Sequence, residues 1–371
     1  MRKAFLMLLL SALGLSLSQL NAQIQQPDQT VDFKHLFTPP QAYVVGFTTQ
    51  APLIDGDISD KAWEKAVWTE KFTDIEGSKR PQPLYRTRAK MIWDSNYLYI
   101  AAEMEEPHVW ANIKNHDEVI FYDNDFEVFI DPDNNTHQYF EIEINALNTV
   151  FDLFMSKPYR NNAGALISWD AKGLKSAVKI NGSLNDPSGK DKGWSVEMAI
   201  PFSCISIGND PVIPGDGSLW RLNFSRVEWN TQAVNGKYEK IKDKNGKVQP
   251  ENNWVWSAQG VINMHLPERW GYIQFSKKEQ PPLFSLPYSE NQKQYLWLIY
   301  YRQKEFYNKY KKYTNRLIDL GFSQPELKIA ERKNHIKLEA GTHQFTAEIS
   351  AGDGTLTIND EGLIQILGNN E

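Results

Sequence analysis

From about Tyr43 to Ser276 the chain is a succession of short segments in which apolar and polar residues alternate, separated by Gly, Pro, Asp and Asn. Leu98, Ile100, Ala102 and Met104 point one way and Tyr97, Tyr99 and Ala101 the other. Together with Arg86 to Trp93 across the turn Asp94-Ser95-Asn96, they read as a hairpin. Phe126, Val128 and Ile130 alternate with Glu127 and Phe129. Phe140, Ile142 and Ile144 alternate with Tyr139, Glu141, Glu143 and Asn145, so one face is apolar and the other carries carboxylates and an amide. Trp194, Val196, Met198 and Ile200 repeat the pattern, as do Trp220, Leu222 and Phe224. Many short strands with almost no helical periodicity predict a mainly β protein, an antiparallel β-sandwich over 43–276.

The pattern then changes. Residues 277–287 form a Pro-rich linker (Pro281, Pro282, Pro287), and Ser289 to Gln292 fits a capping box at a helix start. Leu296, Ile299, Gln303, Phe306, Tyr310, Tyr313, Leu317 and Leu320 recur at spacings of three and four, and Gly321 follows. This predicts one long amphipathic helix ending near Gly321. Three short strands follow, around Phe345 to Ile349, Leu356 to Ile358 and Leu363 to Leu367, so residues 288–371 read as a small α+β domain, a long helix plus a β-meander.

At the other end, Met1-Arg2-Lys3 precedes an apolar run from Ala4 to Leu17 and a small residue at Ala22. A charged start and an apolar run too short to span a bilayer predict a signal peptide over 1–22, then a polar leader over 23–42. The expected location is exported, periplasmic or secreted, with no membrane span in the mature chain. A net charge of −6 gives no basic excess for a phosphate backbone, so nucleic acid is not an expected partner. The only cysteine, Cys204, sits in an apolar stretch and reads as a structural thiol.

The 12 Trp, 16 Tyr and 18 Phe exceed what packing patterns absorb. Trp63, Trp93, Trp194, Trp220 and Trp270 hold core-like registers, whereas Trp110, Tyr122, Trp169, Trp229, Trp254 and Trp256 fall outside them. Sugars present an apolar C–H face and a rim of hydroxyls, and are held by stacked rings plus carboxylate, amide and guanidinium groups. Loop rings beside acidic strand faces therefore point to carbohydrate. Asp123, Asp125, Asp131 and Asp133 concentrate hard oxygen ligands in the turns bounding one strand, which suits a structural calcium ion. The seven His residues show no zinc spacing. Acids are numerous enough for hydrolysis on paper, but such rows are usually solvated or metal-bound, and no catalytic residue is assigned.

Five segments in order carry a family resemblance: Leu53-Ile54-Asp55-Gly56 with Ala62-Trp63; Trp93 to Ile100; Asp125 to Asp131; Gly193 to Pro201; and Trp270-Gly271-Tyr272-Ile273. Together they resemble the family 9 carbohydrate-binding modules, and so imply a CBM9/DOMON-like sandwich that binds sugar without cleaving it, often beside polysaccharide-degrading enzymes and with structural calcium. The resemblance also implies a ligand clamped between two rings. The first corresponds to Phe121 or Tyr122, the second to the Trp254 to Trp256 region, and the acidic strand residue to Glu127. Where the family carries an arginine on the next strand this chain has Glu143; Arg226, Arg221 or Arg160 could supply a guanidinium instead.

The expected site is thus Tyr122, Trp169, Trp229 and Trp254 as plates, with Glu127, Glu143, Asn145 and Arg226 as hydrogen-bonding groups. The expected function is a non-catalytic, exported carbohydrate-binding protein associated with polysaccharide breakdown, its C-terminal domain open to a protein partner. The alternatives are an interaction module that has lost sugar binding, and a glycoside hydrolase.

Overall fold

The computed structural model describes residues 33–208, 212–352 and 354–368. The expected signal peptide and residues 23–32 of the leader lie outside them. Among the described residues, fifteen strands make up the first part of the chain. They are β1 Ala42–Phe47, β2 Thr73–Asp74, β3 Thr87–Trp93, β4 Tyr97–Glu105, β5 Asp125–Asp131, β6 Tyr139–Asn145, β7 Val150–Met155, β8 Ala165–Leu166, β9 Lys175–Asn181 and β10 Gly193–Pro201, then β11 Leu219–Glu228, β12 Thr231–Val234, β13 Lys237–Lys240, β14 Asn252–Val255 and β15 Gly271–Ser276.

The main sheet runs β8-β7-β6-β5-β11-β15-β1-β3-β4-β10-β9, with β14 on β11 and β2 on β14. Its pairings are antiparallel except those of β1, which runs parallel to both neighbours. Residues Ala42 to Gly46 of β1 pair with β15, and only Gly46 and Phe47 pair with β3. This strand is therefore the corner at which the sheet folds over on itself. The expected sandwich is present, but as one curled mixed sheet rather than a purely antiparallel pair.

The fold-over follows from the period-two pattern. Met91, Ile100, Val196 and Met198 from one half meet Phe126, Val128, Ile142, Leu222 and Phe224 from the other, all with negligible exposure. Each such side chain contributes about 1.5–3 kcal/mol on burial. The hairpin turn is as read: Asp94 Oδ1 accepts the amides of Asn96 and Tyr97. At the start of β10, Gly193 has φ +134°, and a Cβ there would lie 1.9 Å from the Met104 carbonyl oxygen. Only glycine fits that approach.

The C-terminal part differs from expectation in three ways. The helix Tyr288–Tyr310 (with Lys34–Phe37 as α1, this is α2) stops at Lys311, which is left-handed at φ 57°. The expected last turns form a separate short 3-10 helix, Leu317–Leu320, and Gly321 (φ 77°) closes that turn. The expected capping box is not formed: Pro287 is the N-cap, and Gln292 donates to Asn334 instead. The meander has five strands rather than three: β16 Glu326–Ile329, β17 Arg332–Ala340, β18 Phe345–Ala351, β19 Gly354–Asn359 and β20 Ile364–Leu367, paired in sequence. Among the described residues no helix is long and apolar enough to cross a membrane.

This unit is docked on the sandwich. Glu290 on α2 accepts from Asn134 (2.9 Å), Arg221 (3.2 Å), Tyr272 (2.9 Å) and Lys293 (2.9 Å), all buried. Thr136 donates to the Gly362 carbonyl, and Arg160 stacks over Trp297 while forking onto Glu268. Residues 277–283 of the connection are exposed, and Phe284 anchors its second half by stacking on Tyr272.

Candidate functional site

The outer face of β5, β6, β7 and β11 carries the residues that the alternation turns away from the core. Strand register sets them in rows. Ser225, Glu127, Glu143 and Phe151 lie side by side across four strands, and Asn223, Phe129, Glu141 and Leu153 form the next row. A cleft of about 480 Å³ opens over these rows. Glu127, Glu141 and Glu143 form its floor, Phe121, Phe151, Tyr159, Ile167 and Ile262 its apolar walls, and Glu251, Asn253, Asn263 and His265 its polar rim. Its volume is that of a small-ligand site.

The charge balance of this cleft is one-sided. Among the described residues lining it none is Lys or Arg. Asp125 Oδ2, Glu141 Oε2 and Glu143 Oε2 are buried without a hydrogen-bond partner. Burial pushes the Glu127 carboxyl up to about 7, opposed by the Ser225 hydroxyl and aided by Glu251; burial followed by the Glu127 charge pushes Glu141 up to about 8. Burial, then the neighbouring carboxylates, raises Asp125 and Glu143 well above the carboxylate range. His265, against the rings of Tyr139 and Tyr159, is held down to about 4 by burial and brings no positive charge at neutral pH. Near pH 7 the floor therefore holds a mixture of carboxyl and carboxylate, able both to donate and to accept.

The structure brings together only part of the expected site. Glu127 and Glu143 are directly opposed on the floor. The short 3-10 helix Ile120–Tyr122 turns Phe121 into the cleft and leaves Tyr122 outside it, 56% exposed, its ring 4.5 Å from that of Phe121. Trp169, Trp229 and Trp254 do not line the cleft. Trp169 packs on Phe140 at the edge of the core, and Trp254 lies within it. Trp229 is buried under the Lys240 ammonium (3.3 Å) and donates its indole N–H to the Phe121 carbonyl, so it braces a wall rather than forming one. Trp110 and Trp256, also grouped with the loop rings, are buried too.

Arg226 is fully buried on the core side of β11, paired with Glu106 (2.9 Å) and Glu228 (2.8 Å), and offers no guanidinium to the cleft. Asn145 is consumed in tying the loop before β5: its amide donates to the Ile113 carbonyl and Asp123, and its oxygen accepts from Leu147 and Thr149. The missed lining residues, among them Tyr159, Ile167, Ile262 and His265, come from loops whose sequence carries no periodic signal.

The four aspartates expected to hold calcium do not form one site, because they stand at opposite ends of a seven-residue strand. Asp123 Oδ2 already accepts from the amides of Asn112 and Ile113 and from Asn145. Asp131 is buried and accepts the Thr136 amide, and Asp133 holds Asn135, in the loop that docks the C-terminal unit. Asp125 instead joins Glu127 and Glu143, with carboxylate oxygens within 4.8 Å of one another. Cys204 donates to the Pro201 carbonyl and burial pushes its thiol up to about 12, as befits a structural residue.

Fold and cleft define a β-sandwich domain with a ligand-sized site on the outer face of one sheet. Residues 54–277 match the family described as carbohydrate family 9 binding domain-like, and the chain belongs to that family. Over 192 residues it is 28% identical to the exoglucanase XynX of Acetivibrio thermocellus, covering 52% of this chain and 15% of that protein. Over 190 residues it is 30% identical to the endo-1,4-beta-xylanase C of Paenibacillus barcinonensis, covering 50% of this chain and again 15% of the relative. The match thus spans only a small part of these proteins. Among solved structures it is similar to a carbohydrate binding module family 9 from Caldicellulosiruptor kristjanssonii in complex with cellotriose, at TM-score 0.41 and 16% identity, covering 67% of this chain and all of that one.

Proposed function

We propose that the sandwich is a non-catalytic carbohydrate-binding module of an exported protein, and that the cleft over Glu127, Glu141 and Glu143 receives the sugar. The observation that carries this reading is the cleft itself, in a chain that belongs to a carbohydrate-binding family: apolar walls stand over a floor of groups that both donate and accept. A sugar ring needs that pairing, since its C–H face seeks a ring or aliphatic wall and each hydroxyl is donor and acceptor at once. Phe121 and Tyr159 take the role of plates expected of Tyr122, Trp169, Trp229 and Trp254. Export rests on the charged and apolar start of the sequence.

Isothermal titration calorimetry with cello-, xylo- and manno-oligosaccharides tests the reading. Binding by the wild type, weakened at least tenfold by Phe121→Ala and by Glu127→Gln but unchanged by Trp169→Ala, is the expected result. No binding across the panel, or binding indifferent to the two cleft variants, would overturn it. Reducing-sugar release from the same oligosaccharides tests the non-catalytic assignment, with none expected.

A further inference from the structure

A second cluster lies beside the cleft and outside it. His116 and Asp117 come from the loop between β4 and β5, Asp152 from β7, and Asp170 from the loop between β8 and β9; one ligand atom from each lies within 4.8 Å of all the others. His116 Nδ1 is 3.0 Å from the Val150 carbonyl oxygen. A carbonyl can only accept, so Nδ1 carries the hydrogen and Nε2 is the nitrogen presented to the cluster. Nε2 faces three carboxylate oxygens, at 3.0 Å (Asp170), 3.4 Å (Asp117) and 3.7 Å (Asp152).

A lone pair does not face three anionic oxygens without positive charge between them. A proton on Nε2 answers one of them, Asp170. It leaves the Oδ1 atoms of Asp117 and Asp152 buried without a hydrogen-bond partner. Asp152 is the telling residue: its side chain is 2% exposed, its Oδ2 already accepts the Ala171 amide at 2.6 Å, and its Oδ1 points at the imidazole with nothing to bind. An ion at the centre would answer all four groups. Ligands held about 2.0–2.2 Å from such an ion sit roughly 3.0–3.5 Å from one another, and Nε2 stands 3.0–3.7 Å from the three oxygens. His116 and Asp170 are the exposed members and Asp152 the buried base, so an ion has a way in from solvent.

We infer that His116 Nε2 and the carboxylates of Asp117, Asp152 and Asp170 form a binding site for a divalent transition-metal ion of the Zn²⁺ or Mn²⁺ class. An imidazole among three carboxylates suits these ions better than Ca²⁺, which takes six to eight oxygens. The Val150 carbonyl acts as the outer partner that fixes the ring. The ion would join the two loops to β7, and Val119, Phe151 and Ile167, near neighbours in sequence of the ligands, line the cleft. The site thus holds cleft walls in place, yet its existence does not depend on what the cleft binds.

The test uses the full chain, stripped with a chelator and titrated calorimetrically with ZnCl₂, MnCl₂ and CaCl₂, with thermal melts alongside. One Zn²⁺ or Mn²⁺ per chain and a raised melting temperature are expected, with affinity about 10–100-fold lower in His116→Ala and in Asp152→Asn. His116 is an exposed side chain, and Asp152→Asn removes a buried charge, so two differently placed variants guard against a folding artefact. Absence of heat and of any melting shift with both ions, affinity in both variants equal to that of the wild type, or Ca²⁺ binding tighter than Zn²⁺ and Mn²⁺ would each overturn the inference.

Discussion

Glu127 is the residue through which the acidic floor is best perturbed, because its charge is among the causes that raise Asp125, Glu141 and Glu143. Folding lifts its own carboxyl from 4.5 to about 7. The sign follows from the direction: the fold prefers the protonated acid, so this contribution is intact below about pH 4.5 and is lost as pH rises through 7. At about 1.4 kcal/mol for each tenfold change in proton affinity, this rise amounts to roughly 3–4 kcal/mol. For a domain of this size, at about 2–4 °C per kcal/mol, that is ~6–16 °C of melting temperature. Glu141, lifted to about 8, acts in the same direction and extends the loss upward in pH.

Glu127→Gln keeps the shape and the hydrogen-bonding capacity of the protonated acid but cannot ionise, whereas Glu127→Ala would add a cavity. Melting curves by differential scanning calorimetry from pH 5 to 9, in chelator so that no cation neutralises the floor, should nearly coincide at pH 5. They should separate towards pH 9, with the variant the more stable by ~6–16 °C. His137 and His265, both held down to about 4 chiefly by burial, act in the opposite sense, losing stability as pH falls below 6.5. They are common to both proteins and cancel in the comparison. Parallel curves across the whole range would refute the account of the floor as a set of buried acids sharing protons.

Three further outcomes test the packing around the site. Arg226→Ala leaves Glu106 and Glu228 buried without their cation and should cost about 3–5 kcal/mol, read as a lowered urea midpoint. Glu290→Ala strips Arg221, Tyr272, Asn134 and Lys293 of a shared acceptor, and limited proteolysis should then cut within 277–287 faster than in the wild type; an unchanged digestion rate would mean that other contacts hold the C-terminal unit. Gly362→Ala places a Cβ 2.8 Å from the Trp297 ring at a residue with φ +78°, and about 1–3 kcal/mol of stability should be lost in a thermal melt.

What the sequence disclosed depended on how far apart the interacting residues stand. Alternation is local, so it placed Glu127, Glu141, Glu143 and Phe129 on one face and Phe126, Val128 and Ile142 on the other before any pairing was known. The meeting of Glu127 with Glu143 also needs the register of β5 on β6, which the 132–138 connection sets and no periodicity reveals. The tryptophans show the converse. A position outside an alternating register suggests an exposed plate, yet an indole carries so much apolar surface that a sandwich covers it wherever a loop can reach. Lys240 covers Trp229 and Arg226 lies over Trp254, while the rings that line the cleft include Phe121, which the family resemblance points to, and Tyr159, from a segment with no periodic pattern. His116, Asp117, Asp152 and Asp170 lie in three separate segments, so spacing rules for metal ligands, which see a single helix or loop, had nothing to register. The Asp-rich turn at 131–135 shows why such turns resist reading from sequence. A loop that can wrap an ion can equally present its carbonyls and amides to another part of the protein, and here Asn134 and Asn135 meet α2 and β20. Composition identifies groups able to bind something, and only the partner supplied by the fold decides whether that capacity is still free for a ligand.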